Sequence, residues 1–138
     1  MDIEFLSQIV DYGVLGLLGF MSFLTLFFWI ERLLFYRGVE VSEYSTQEAL
    51  ELDITNNLGI ISSFGANAPY IGLLGTVLAI MQTFVDMSKE NLAATKIMAS
   101  LALALKTTAI GLFVAIVSIV FYNYLTRKVE TFLAHYEA

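Results

Sequence analysis

A chain of 138 residues that is 58% hydrophobic and only 14% charged is too apolar for an ordinary soluble domain, in which about a quarter of residues carry charge. Seven basic against thirteen acidic residues, net charge −6, exclude nucleic acid as a partner, because neutralising phosphates needs clustered Lys and Arg. No cysteine and a single histidine exclude a disulfide scaffold, thiolate metal sites and His-based metal clusters or triads, and no cofactor or metal is expected. The composition predicts an all-α membrane protein.

Residues 1–11 carry Asp2, Glu4 and Asp11 and no base. A secretory leader opens with a positive region and ends at a small-residue cleavage site, so this segment is expected to stay in the mature protein. Tyr12 to Ile30 is free of charge and has Tyr12 and Trp29 near its ends, the length and aromatic placement of a membrane span. Its Leu and Phe content predicts the most lipid-exposed of three spans. Residues 31–60 follow as a polar segment in which Glu40 to Asp53 holds acids but no base. Solvated structure is the reading for such a run. Leu58 to Ala68 is too polar for lipid and leads into the second span, where Pro69 removes a backbone donor and is expected to bend the helix.

The second span, 61–86, and the third, 97–126, form a hairpin joined by the polar loop 87–96. Beyond Arg127 and Lys128 the chain closes as a tail, 127–138. Basic residues beside the spans are Arg32, Arg37, Arg127 and Lys128 at one end and Lys89 and Lys96 at the other. The positive-inside rule places the four in the cytoplasm, so the N-terminus lies outside.

Small and hydroxyl residues recur at helical spacing in both arms of the hairpin. Ser100, Ala104, Thr107, Thr108, Gly111, Ala115 and Ser118 share one face, and Gly72, Gly75, Thr76, Ala79 and Thr83 make a similar stripe. Hydrocarbon already solvates Leu and Phe, so such faces mark either close helix packing or the wall of a polar lumen. At about 1.5 Å rise per residue Thr76 and Thr107 lie roughly 20 Å from the hairpin tip, level with Thr108 and Lys106. Three hydroxyls at one depth suggest an ion pathway through Thr76, Thr107 and Thr108, although each hydroxyl alone could bond its own helix.

The strings Ala68-Pro-Tyr-Ile-Gly-Leu-Leu-Gly-Thr-Val-Leu-Ala-Ile-Met81, Ala104-Leu-Lys-Thr-Thr-Ala-Ile-Gly-Leu112 and Phe121-Tyr-Asn123 closely resemble the paired signature helices of the ExbB/TolQ/MotA proton-channel family, nearest its short ExbB form. The resemblance runs over roughly residues 10–130. It implies a homopentamer in the bacterial inner membrane whose second and third helices line a pore. That pore holds the membrane helices of an ExbD-like protein, and the assembly turns proton-motive force into work on a TonB-like protein that energises outer-membrane uptake of iron carriers or vitamin B12. It also implies lumen-facing roles for Thr76 and Thr108, and motif positions at Pro69, Gly72, Gly75 and Gly111. Partner-helix contact is then expected along Gly72, Gly75, Ala79, Thr83, Ala104, Gly111, Ala115 and Ser118. A TolQ-like subunit of the Tol-Pal system and a passive membrane scaffold are the alternatives; no enzyme apparatus is visible.

Two positions depart from the family pattern. Many members carry a membrane Glu where this chain has Leu103, and this chain has a lysine, Lys106, inside the third span. At 100° per residue Lys106 lies nearly opposite the Ser100 to Ser118 stripe, so it is expected to face the first helix or a neighbouring subunit. The readings for it are a structural lysine held by hydroxyls, carbonyls or an acid of another chain, or one that tunes a partner's acid. With no Asp or Glu within the three spans, the titrating acid is expected from a partner helix.

Overall fold

The computed structural model describes residues 3–137, with side chains from residue 8 onward. Residues 1 and 2 of the expected N-terminal segment lie outside the described residues. Four α-helices and one 3-10 turn make up the order: α1 (Ile3–Arg37), the turn Val41–Glu43, α2 (Gln47–Ile54), α3 (Leu58–Lys89) and α4 (Ala94–Glu137). Three of them, α1, α3 and α4, are long and apolar enough to cross a membrane. This is an all-α membrane protein.

Every long helix outruns the span expected within it. Already at Ile3, α1 is helical, which takes most of the segment 1–11 into the helix. Its inward face is set by Val14, Leu18, Met21 and Thr25, all buried, while Leu17, Phe20, Phe23, Phe27 and Ile30 stay exposed. That outward face needs no protein cover if acyl chains solvate it. Val14, Leu18 and Met21 pack with Ala68 of α3 and with Val114 and Ala115 of α4.

The region 31–60 is a folded platform rather than an irregular segment. Thr46 caps α2 by accepting from the Ala49 amide at 3.1 Å. The far end of α2 is the more telling one, because the last carbonyls of any helix lack intrahelical donors. Here α1 supplies them: Tyr36 donates to the Ile54 carbonyl at 2.5 Å, and Arg32 Nη1 donates to the Asp53 carbonyl at 2.8 Å. Tyr44 donates to Asp53 Oδ2 at 2.6 Å, and that bond holds its phenol above the usual range. Asn57, at φ 69°, then turns the chain into α3, a left-handed conformation that Asn tolerates better than most residues. Pro69 lies within α3 without ending it.

The expected tail 127–138 continues α4 as helix to Glu137. The cause is a second apolar stripe: Leu125, Val129, Phe132 and Tyr136 follow one another at helical spacing and pack with Tyr36, Leu50, Ile54, Leu58 and Ile61. Tyr36 and Phe132 meet edge to face at 5.4 Å between ring centres. Above this platform Trp29 stacks on Phe121 at 4.3 Å, tying α1 to α4.

Candidate functional site

The two small-residue stripes meet each other. A Cβ on Gly72 would stand 2.5 Å from the Thr107 carbonyl oxygen, and one on Gly111 would stand 2.7 Å from that of Ala68. Only hydrogen fits between these backbones, which is what lets α3 and α4 approach so closely. Gly72, Gly75, Thr76, Thr83, Ala104, Thr107, Gly111, Ala115 and Ser118 are all buried within the chain. Ala79, Ser100 and Thr108 are half-buried at the edge of the seam. The faces expected to address a partner helix therefore address one another. Helices joined by only Glu90 to Ala93 run side by side, and their smoothest faces permit the nearest approach.

The seam brings the three predicted threonines into one cluster. Thr107 Oγ1 donates to the Gly72 carbonyl at 3.0 Å, and Thr76 Oγ1 donates to the Ala104 carbonyl at 2.8 Å, so each hydroxyl bonds the opposite helix. Thr76 Oγ1 lies 3.4 Å from Thr107 Oγ1 and is hydrogen-bonded to the Thr108 hydroxyl, which also reaches the Gly72 carbonyl at 3.3 Å. Each hydroxyl carries one proton, so with Thr76 and Thr107 donating to carbonyls it is Thr108 that donates to Thr76, and an O–H turns toward a neighbouring hydroxyl only by releasing its carbonyl. Elsewhere in the seam Thr83 bonds the Ala79 carbonyl of its own helix at 3.1 Å, and Ser118 Oγ lies 3.4 Å from Thr25 Oγ1 of α1.

Lys106 points away from this cluster, toward α1, and its ammonium lies 3.4 Å from Asp11 Oδ2. The acid beside it comes from this chain: Asp11, one residue before the expected span 12–30, lies within helix α1. Both side chains border a cleft of about 420 Å³ between α1, α3 and α4 on the side of the α3–α4 turn. Gln82 and Asp86 line the same cleft and bond each other at 3.2 Å. Asp11 was legible. It stands seven residues before the buried Leu18, with Thr25 and Arg32 following at the same interval, so it falls on the bundle face of α1.

Comparison with known proteins agrees with this architecture. The MotA/TolQ/ExbB proton channel family matches residues 29–138. The biopolymer transport protein ExbB of Aquifex aeolicus is 47% identical over 98% of this chain and 92% of its own length. A putative biopolymer transport protein ExbB-like 2 of Helicobacter pylori is 45% identical over 96% of this chain and 89% of its own, and a biopolymer transport protein ExbB of the same species is 50% identical over 89% and 86%. With the hydroxyl-bearing hairpin inside the matched region and relatives aligned over nearly its whole length, the chain belongs to the MotA/TolQ/ExbB proton channel family.

Proposed function

We propose that this chain is the ExbB-type subunit of a proton-driven motor in the bacterial inner membrane. It works as a homopentamer, with its N-terminus and the α3–α4 turn outside and α2 in the cytoplasm. Helices of an ExbD-like partner stand in a lumen walled by α3 and α4, and their proton-linked movement does work on a TonB-like protein for outer-membrane uptake. The observation that carries this reading is the hydroxyl cluster Thr76, Thr107 and Thr108, bonded across the two helices that bear the family motifs. Thr108 is its half-buried member and thus the one a guest helix reaches first, with Thr76 behind it.

Replacing both Thr76 and Thr108 with Val keeps shape but removes two hydroxyls. Losing one hydrogen bond to a titrating acid, about 1.5 kcal/mol, slows its proton exchange roughly tenfold. Energised uptake of an iron carrier is expected to fall by about that factor or more, with Ser at both positions recovering most of it and the oligomer assembling throughout. Undiminished uptake in the double Val variant overturns the role of the hydroxyls.

One observation favours the passive-scaffold reading: most of the small-residue stripe is consumed inside the chain, as plain helix packing requires. Proton flux into vesicles separates the two readings. The chain reconstituted with an ExbD-like partner conducts if it is a motor subunit and not if it is a scaffold.

A further inference from the structure

We propose that the cleft between α1, α3 and α4 is a water-filled proton vestibule, open on the side of the α3–α4 turn, and that the Asp11–Lys106 pair is its gate. The proposal rests on the proton-channel reading above. A lysine inside the apolar length of a membrane helix is costly unless it is paired or hydrated. Here the side chains of Lys106 and Asp11 are 46% and 38% exposed, and both border a cleft in which Gln82, Asp86 and Ser100 stand among apolar neighbours such as Leu78 and Leu103. Its volume of about 420 Å³ holds on the order of ten waters.

The floor of the cleft is thin. Gly75 and Ala104 both line it, and both touch the threonine cluster. The missing side chain of Gly75 leaves Thr107 Oγ1 only 2.6 Å from where its Cβ would stand, and the Ala104 carbonyl accepts from Thr76 Oγ1 at 2.8 Å. From the cleft the polar path therefore continues through Thr107 and Thr76 to Thr108. Among the described residues the charged groups on the lining are Asp11 from α1, Asp86 from α3 and Lys106 from α4, so two carboxylates outweigh one ammonium and the cleft concentrates cations.

A hydronium arriving from outside transfers its proton to the Asp11 carboxylate and leaves as water. The neutral carboxyl no longer holds Lys106, the pair opens, and the water that already borders the cleft floor gains a path past the pair. Asp11 then gives the proton to a water on the threonine side, becomes a carboxylate again and recloses on Lys106.

The chain has no cysteine, so single cysteines report access directly. Ser100→Cys in the assembled complex is expected to react with a charged, membrane-impermeant methanethiosulfonate added from the turn side at least tenfold faster than Phe20→Cys on the outward face of α1. Equal, slow labelling overturns the vestibule, whether or not the complex moves protons. For the gate, Asp11→Asn is expected to cut proton flux in vesicles containing the ExbD-like partner severalfold, and Asp11→Glu to restore it. Adding Lys106→Met to Asp11→Asn removes the unpaired charge without supplying a proton carrier, so flux stays low. Recovery in that double variant shows that the pair is only structural and overturns the gate. Fast labelling of the Ser100→Cys variant together with an unsubstituted complex that passes no protons refutes the channel reading and leaves the vestibule standing.

Discussion

Alanine at Gly72 or at Gly111 is expected to be the most damaging single-methyl change in the bundle. Each added carbon meets backbone on the facing helix: the Thr107 carbonyl and Gly111 Cα for the first, the Ala68 carbonyl and Gly72 Cα for the second. Backbone in the middle of a long helix has no rotamer to change, so the helices must part. Overpacking a tight core costs about 1–3 kcal/mol, and the upper end applies when neither side yields. Parting the seam also draws the Gly72 carbonyl away from Thr107, so proton flux falls with stability. Gly65 provides the control, since its added methyl meets first the Ile119 side chain, at 3.2 Å, and that chain swings aside. Gly65→Ala is expected to cost under about 1 kcal/mol. Thermal unfolding of the oligomer in detergent orders the three variants, and equal losses at Gly65, Gly72 and Gly111 sink the claim of a backbone-tight seam. Gly75→Ala tests a different contact. Its methyl would press on the Thr107 hydroxyl, so its effect on flux is expected to exceed its effect on melting.

Much of this architecture is legible in the residues, and what is not has identifiable causes. Stretches with at most one charge announce three apolar helices, because a membrane demands about 20 predominantly apolar residues and soluble helices rarely supply them. Helical spacing picks out the threonine and glycine faces correctly as faces, but periodicity says which residues share a side and not what that side looks at. The stripe at Gly72 and the stripe at Gly111 thus read as walls for a guest helix when in this chain they close on each other. At 127–138 the charges of Arg127 and Lys128 suggest an ending, while the interval linking Leu125, Val129, Phe132 and Tyr136 carries α4 onward over α2. Asp11 goes with the N-terminal acids by composition and with the face of Leu18 and Thr25 by spacing, and Lys106 of α4 stands opposite it. The pairing of Arg32 and Tyr36 with carbonyls at the end of α2 has no sequence signature, since a backbone acceptor can belong to any residue.

That pairing leads to the second large effect, at the α2 platform. Arg32→Met is expected to release α2 from the bundle while leaving the membrane hairpin folded. The Arg32 side chain is 3% exposed and does two things at once: Nη1 satisfies the Asp53 carbonyl, and Nε and Nη2 engage both oxygens of Glu31 at 2.6 and 2.5 Å. Met fills a similar volume and keeps contact with Phe35, but it donates nothing. The Asp53 carbonyl loses a charge-assisted bond worth about 2 kcal/mol, and Glu31 loses its counter-ion. Tyr36→Phe removes only the neighbouring bond to the Ile54 carbonyl, about 1 kcal/mol, and keeps the ring against Phe132. Since α2 has just eight residues, it has little helical stability of its own to fall back on. Hydrogen exchange reads this directly. Amides of α2 are expected to exchange about thirtyfold faster in Arg32→Met and about fivefold faster in Tyr36→Phe, with α3 and α4 amides near the Thr76 cluster unchanged. Acceleration spread evenly over all four helices would show that Arg32 supports the whole bundle rather than clamping its platform.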